Sequence, residues 1–565
     1  MIKQFFFFLT VLISFVACSN VYNDDVNYEI ITPKPTWTYY SDSPITFSTN
    51  INTDNVFWYS NKDGYLGSGN SFTLNLTPGL HSIKSILQDV EKSVSIYVTA
   101  RNIKEGQTLK YRIKSSEQNI KLSEGIYKSA FIALDGSISN VSFNNNNNVE
   151  LKKDIHIDVN LKSKNILKSL ARSASKIVYE LNDEKNFYVV NTKEQTLEPH
   201  TILSKLIKTS DICNIWYPVT PQKYSSLKLD EDLLNFCIEE IEKRIIPRLK
   251  TLWGNLPDID KDGKISILFT PTINEEHVAV GFFNPDDFYK RDNFSPFSNE
   301  MDILYIAVPE VNNFSYSAKC ICATIVHELT HAINYNIKTY SRFLTSVDNL
   351  PKEEIFLDEA LSHLSESLCG YGISGGNVNI LFHYLNNLEK YSVCKSDYLG
   401  NADSNGRRGA STMFLSWLFW KKGGISWNCN NPLEIIDEGG ITFIQNLVAS
   451  NGVGWENIGK IYGKNTDILY VQMIEELNSQ RELQKPSILD PYSNEPVCVY
   501  PDFQTYVSKD FNKEWTLSIP LIDIESDISL VPYSFVLFSP FENKSNFQIN
   551  NKNVEGQVLG VFCRE

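Results

Sequence analysis

Ala323-Thr324-Ile325-Val326-His327-Glu328-Leu329-Thr330-His331-Ala332-Ile333 is the stretch on which the reading of this chain turns. No Pro or Gly interrupts residues 318–337 and the apolar positions recur at helical spacing, so the segment predicts one largely apolar helix. Residues four apart on a helix lie one turn apart on the same face. His327 and His331 can therefore offer both imidazoles to a single cation. Glu328, next to the first, can reach a water on that cation without ligating it. The chain has only 8 His in 565 residues, which makes this spacing a rare accident. Two imidazoles on an apolar helix also need polar partners. The competing reading is a pair of satisfied core histidines.

Zinc sites that do chemistry take three protein ligands and keep a fourth position for water. Residues 332–340 hold no further His, which excludes the His-x-x-Gly-x-x-His continuation. Downstream, Leu357-Asp358-Glu359-Ala360-Leu361-Ser362-His363-Leu364-Ser365-Glu366 resembles the Asn-Glu-Ala/Gly segment of thermolysin-like enzymes and zinc aminopeptidases, with Asp358 in place of Asn. The resemblance implies Glu359 as third ligand, on a second helix, in the gluzincin arrangement. His363 lies four residues on and on the same face. It stays open between a partner of the ligands, an alternative ligand and a packing residue, because thermolysin-like enzymes carry Asp at the matching position. Glu366, on that face too, reads as a partner or a structural residue.

A longer stretch resembles hyicolysin-type metallopeptidases. It is carried by Ser298-Asn299-Glu300-Met301-Asp302-Ile303-Leu304-Tyr305-Ile306, the His-Glu-Leu-Thr-His helix, residues 357–366, Arg407-Arg408-Gly409-Ala410-Ser411 and residues 414–420. The resemblance implies a zincin-like α+β domain over residues 201–480 that hydrolyses peptide bonds in a peptide or protein substrate, with endopeptidase action expected. It implies one Zn2+ held by His327, His331 and Glu359, with Glu328 as general base. The oxyanion of such a reaction needs a further donor. Tyr398, Arg407, Arg408 and His383 are candidates, each with a structural alternative. By resemblance alone, the strand at 302–308 is the edge expected to pair with extended substrate.

A second cation motif is Asp258-x-Asp260-x-Asp262-Gly263, the first half of an EF-hand loop. Phe269 occupies the twelfth position, where a bidentate Glu is expected. The segment reads either as an acidic turn into a strand at 265–270 or as a Ca2+ site completed by carboxylates from elsewhere.

The rest of the chain suggests β-rich flanks and a targeting segment. Lys3, an apolar run over 5–17 and Phe15-Val16-Ala17-Cys18 resemble the signal peptide and lipobox of a bacterial lipoprotein. This implies residues 1–17 as leader, acyl chains on Cys18 that anchor the protein to a membrane, and a tether over 18–28. Ser19 favours the outer membrane, so the expected place is the cell envelope or cell surface. Residues 29–100 show short alternating runs at 44–49, 56–60, 71–76, 81–88 and 93–98, broken by turn signals. Phe57-Trp58-Tyr59, the Asp63–Gly69 turn region and the residues from Leu76 to Ile83 resemble bacterial Ig-like and PKD-like modules, implying a β-sandwich in which His81 is structural. Residues 101–200 read as a β-rich domain with strands at 111–114 and 155–161 and an Asn loop at 144–148. Residues 231–252 read as a helix whose end is bent by Pro247. Residues 481–565 read as a C-terminal β-rich domain with runs at 515–524 and 533–538. Beyond Cys18 the cysteines are odd in number. Cys498 with Cys563 is the expected pair, and Cys320 and Cys322 are expected on the buried motif helix.

The fold class expected is therefore multidomain: an α+β zincin-like unit flanked by an N-terminal Ig-like β-sandwich and a C-terminal β-rich domain. A net charge of −15 argues against nucleic acid as a partner. Charged residues at 21% and hydrophobic ones at 42% argue against a disordered chain. The alternative to a lipid-anchored peptidase is a surface adhesin with an inactive or non-peptidase metal site.

Overall fold

The computed structural model describes residues 28–35, 37, 39–87, 90–99, 104–113, 118–120, 122–135, 139–142, 177–192, 199–219, 230–345, 350–428, 430–483, 487–498, 505–508, 513–524, 526–543, 547–553 and 557–565. The leader, Cys18, the tether up to residue 27, the Asn loop at 144–148 and the strand at 155–161 lie outside the described residues. The protein is a multidomain, mixed α+β molecule with several sheets. Among the described residues no helix is long and apolar enough to cross a membrane.

The central unit is built on a six-stranded sheet. Its order is Glu184–Val189, His200–Thr209, Cys213–Pro218, Ile265–Phe269, Ile303–Ile306 and Gly281–Phe283. Ile265–Phe269 (ISILF) and Ile303–Ile306 (ILYI) are buried at every position and pair in parallel, as continuous apolar runs covered on both faces should. Gly281–Phe283 closes this side antiparallel to Ile303–Ile306. The strand at 302–308 therefore has neighbours on both sides, and the edge expected there belongs to Gly281–Phe283. Gly281 is what lets that edge approach. A Cβ there would meet Ile306 Cδ1 at 2.7 Å and Thr324 Cγ2 at 2.9 Å, the latter on the motif helix.

Helices cover the sheet. Glu231–Glu240 starts on Asp230, whose carboxylate accepts from the Asp232 and Leu233 amides, and runs through a π-turn at Ile241–Ile245 into Ile246–Trp253. Pro247 sits where that π-turn passes into the last segment of the continuous helix, the place at which its missing N–H interrupts the regular ladder. The motif helix, Ala318–Tyr335, is capped by Ser317 Oγ accepting from Cys320 N. The carboxylate helix, Ile355–Leu368, packs beside it. Asn405–Lys421, the arginine helix, packs closely on Asn377–Leu385 at Gly409, where a Cβ would run into Ile380 O. Cys320 and Cys322 are buried on the motif helix, and burial pushes the Cys320 thiol up to about 12.

Residues 30–99 form two sheets around a core of Phe47, Trp58, Ile83 and Ile96. The five runs anticipated there fold as Ile45–Thr49, Val56–Ser60, Ser71–Leu74, Gly79–Leu87 and Val90–Thr99. Buried His81 is satisfied at both nitrogens, by Ser60 Oγ at 2.8 Å and Thr77 O at 2.7 Å.

The sheets divide the flanks differently from the linear reading of separate 101–200 and 481–565 domains. Thr108–Ile113, Gln557–Arg564, Gly125–Asp135, Phe535–Phe538 and Leu521–Ile522 form one sheet. Ile528–Leu530, Ser139–Ser142, Phe547–Asn553 and Gln118–Ile120 form another. The two regions thus share one core, including Leu109, Phe131, Phe538 and Phe562. Glu184–Val189 joins the central sheet instead. Alternating apolar residues define a strand's buried face but not its partner, so the linear reading could not see this. The bridge expected between Cys498 and Cys563 is not formed, because Cys563 carries a free, buried thiol.

Candidate metal centre

The motif helix aims His327 and His331 at one point, with their Nε2 atoms 3.0 Å apart. The carboxylate helix brings Glu359 to the same point. Its Oε2 lies 3.3 Å from His327 Nε2 and its Oε1 lies 3.7 Å from His331 Nε2. One donor atom from each of the three falls within 4.8 Å of the others. The Glu359 side chain is 12% exposed, and its Oε2 faces His327 and Arg408 rather than solvent.

Both imidazoles are held from behind by the carboxylate helix. His327 Nδ1 donates to Glu366 Oε1 at 2.7 Å, and His331 Nδ1 lies 2.9 Å from Asp358 Oδ2. Asn334 Nδ2 fixes Asp358 at 2.5 Å. Glu366 also takes His363, whose Nδ1 is 2.8 Å away, and Asn377 Oδ1 accepts from the same nitrogen at 2.8 Å. His363 is therefore one layer behind His327, paired to that residue's partner. Its Nε2 is buried and makes no hydrogen bond among the described residues.

This arrangement tests whether a metal fits. A carboxylate only accepts, so each Nδ1 carries the proton and each Nε2 presents its lone pair. Two lone pairs and a carboxylate oxygen then face one another, a configuration that calls for positive charge. Burial works against charging His327 and His331. The carboxylates outweigh it, holding His327 well above its usual range through Glu359 and Glu366 and raising His331 to about 9 through Asp358 and Glu359. Burial would likewise raise Glu359, but His327, His331 and Arg408 hold it well below the usual carboxylate range. A divalent cation meets the same demand. Two imidazoles and a carboxylate, with both Nδ1 atoms supported, are a donor set suited to zinc.

Glu328 stands beside the cluster as a half-buried carboxyl, and its Oε2 accepts from Phe283 N, on the edge strand, at 3.0 Å. Burial pushes its pKa up, His327 and His331 pull it down and Glu359 adds repulsion, leaving it above the usual range. Arg408, from the arginine helix, places Nη1 3.2 Å from Glu359 Oε2. Its Nε and Nη2 donate to the two oxygens of Asp403 at 2.7 and 2.6 Å.

The other donor candidates are engaged elsewhere. Arg407 is buried and donates to the carbonyls of Ser392 and Ala402, so it ties down the preceding loop. Tyr398 is 46% exposed and its ring packs with Lys390 and Tyr391. His383 is exposed and edge-on to Phe382. Sequence reasoning did not assign the holding roles of Asp358 and Asn377 or the Phe283 amide. The unusual Asp before Glu359 was the available signal for the first; the other two depend on tertiary packing. Asp258, Asp260 and Asp262 also converge, with one oxygen from each within 4.8 Å, while Phe269 is buried in its strand and cannot ligate.

No protein-family model matches this chain. A stretch of 195 residues is 28% identical to neutral metalloprotease ShpI of Staphylococcus hyicus. The match covers 34% of this chain and spans 41% of that protein's length. This chain thus has a distant homologue that is a metalloprotease.

Proposed function

We propose that this chain is a zinc-dependent metallopeptidase of the hyicolysin type, with His327, His331 and Glu359 as ligands and Glu328 as general base. The observation that carries the reading is the meeting of two back-supported imidazoles and the Glu359 carboxylate at one point, beside a carboxyl of raised pKa. The metalloprotease homologue supports it independently.

Zinc held there would supply Lewis acidity and lower the pKa of a bound water to about 7. Asp358 and Glu366 keep both Nε2 lone pairs presented and fix the rings. Glu328, held by the Phe283 amide, takes a proton from the attacking water and delivers it to the leaving amine. Its raised pKa brings it closer to the range in which both transfers are favourable at neutral pH. Arg408 is the donor placed to stabilise developing negative charge. Gly281–Phe283 is the open edge beside the base, suited to pair with an extended peptide.

The test is zinc content together with casein or peptide cleavage, with and without 1,10-phenanthroline. Glu328→Gln should keep zinc and lose about 10²–10⁴-fold in cleavage. Full activity in that variant, or a wild-type protein without zinc, overturns the reading. Zinc without cleavage would favour a binding protein at the cell surface. The same proposal places the chain in the cell envelope, anchored by acyl chains on Cys18, with the sandwich at 30–99 as an Ig-like spacer. Labelled palmitate should enter the wild type and not Cys18→Ser.

A further inference from the structure

Glu359, His363 and Glu366 follow one another at i, i+4 and i+7 along one face of the carboxylate helix Ile355–Leu368. Glu359 reaches the point where the imidazoles meet, and Glu366 holds His327 from behind. His363 does neither, yet it is 7% exposed and faces two acceptors. Its Nδ1 lies 2.8 Å from Glu366 Oε1 and 2.8 Å from Asn377 Oδ1.

The proton on that nitrogen is dictated by the groups around it. Asn377 Nδ2 faces the His363 carbonyl at 2.7 Å and Ser367 Oγ at 2.9 Å. A carbonyl only accepts, so this end of the amide is the NH2 and the end turned to His363 is the oxygen. Glu366 and Asn377 both accept, and His363 Nδ1 must donate between them. The ring has no other hydrogen-bonding duty, since its Nε2 makes no hydrogen bond among the described residues.

Glu366 Oε1 therefore accepts two N–H groups, from His327 at 2.7 Å and from His363 at 2.8 Å. Its Oε2 is walled in at Gly375, where a Cβ would lie 2.6 Å from that oxygen and 2.6 Å from Ala323 Cβ on the motif helix. The His327 and His363 rings meet edge to face, with centroids 4.6 Å apart. A carboxylate accepting from His327 alone could pivot about its own torsion. A second donor on a fixed ring leaves it one orientation.

We propose that His363 is a positioning residue of the metal centre: its Nδ1 proton pins the Glu366 carboxylate, which in turn fixes the ring angle of His327. The relay runs from Asn377 through His363 and Glu366 to His327, across three helices. A buried network of this kind is worth more intact than in parts, because losing one donor strands its acceptors. This inference rests on the metallopeptidase reading and adds to it a residue that touches neither metal nor substrate.

Two substitutions in the full-length protein test it. His363→Leu keeps an apolar bulk and removes the donor. His363→Asn puts an amide NH2 where Nδ1 stands, with one proton for each acceptor. The Leu variant should bind zinc about 10-fold more weakly than wild type in competition with a chelator. Its cobalt-substituted form should show a shifted absorption band, and its kcat should fall with KM unchanged. The Asn variant should return all three close to wild type. Wild-type zinc affinity in a folded Leu variant overturns the inference. So does an Asn variant as weak as the Leu one, which would mark His363 as packing alone. Should His363→Leu fail to fold, Asn377→Ala, which takes away the acceptor that aims His363, carries the same expectation. A wild type that binds no zinc is a different failure: it overturns the metallopeptidase reading itself, and this inference with it.

Discussion

Two groups of buried carboxyls differ in what faces them, and their pKa values move in opposite directions. Glu359 and Glu366 face imidazoles and are held below the usual carboxylate range despite their burial. Asp260, Asp302 and Asp287 sit among other acids or neutral donors, and burial drives all three upward. Burial is the largest influence in every case, so the partner decides the sign. Helices that interleave His and Glu produce a pocket that draws positive charge, which a metal ion would supply in the proposed reading. A loop that brings acids together without such partners leaves burial to raise Asp260 and Asp262.

The contrast can be broken most sharply at His331. His331→Ala should abolish zinc binding and cleavage while the fold is kept, measured by metal analysis, peptide cleavage and circular dichroism. If zinc is retained, the cluster does not hold the metal. Arg408→Ala should come next, lowering turnover by about 10²–10³-fold with zinc retained. An unchanged kcat would show that this guanidinium only orients Glu359. Glu366→Gln should weaken zinc by about 10–100-fold, as loss of a ligand's supporting partner does, and competition with a chelator measures it. Asp358→Asn tests whether the partner of His331 matters equally.

The mildest expected effect lies on the acidic side. Asp287 accepts from the Tyr305 hydroxyl at 2.7 Å and from Asn299 N at 2.6 Å, yet burial pushes it up to about 7. Its folded pKa exceeds the value of 3.8 that it has in the unfolded chain, so between the two the folded state binds more protons. Stability should fall as pH rises through that window, by about 1.4 kcal/mol per pH unit at most from this group. The loss is complete above the folded pKa. Urea midpoints at pH 5 and 7.5 should differ less in Asp287→Asn than in the wild type.

The parts legible in the sequence were those written in local spacing. His327 and His331 meet because a helix turns once in four residues. Glu359 was reachable because its segment resembles known zinc-binding helices. The buried ISILF and ILYI runs announced strands, although not which one would lie at the edge. What stayed hidden depends on approach between distant elements. Gly281 is informative only once Thr324 is packed against it, and His363 only once Asn377 is brought to its Nδ1. The sorting of Arg407 from Arg408 rests on one step of helical rotation, which sends adjacent guanidinium groups to different surroundings.

The β layer shared by both flanks constrains how the molecule is made. Gln557–Arg564 lies between Gly125–Asp135 and Thr108–Ile113, and Asn543 Nδ2 donates to Leu122 O across 421 residues of chain. Strands synthesised early must wait, edges unpaired and prone to wrong partners, until their counterparts leave the ribosome. The helical unit encoded between them can collapse meanwhile on its own short-range contacts. Closing the β layer last would then act as a seal: a chain that stalls before Gln557 is left with a sticky, unfinished flank, marked for removal by proteases that hunt exposed strands.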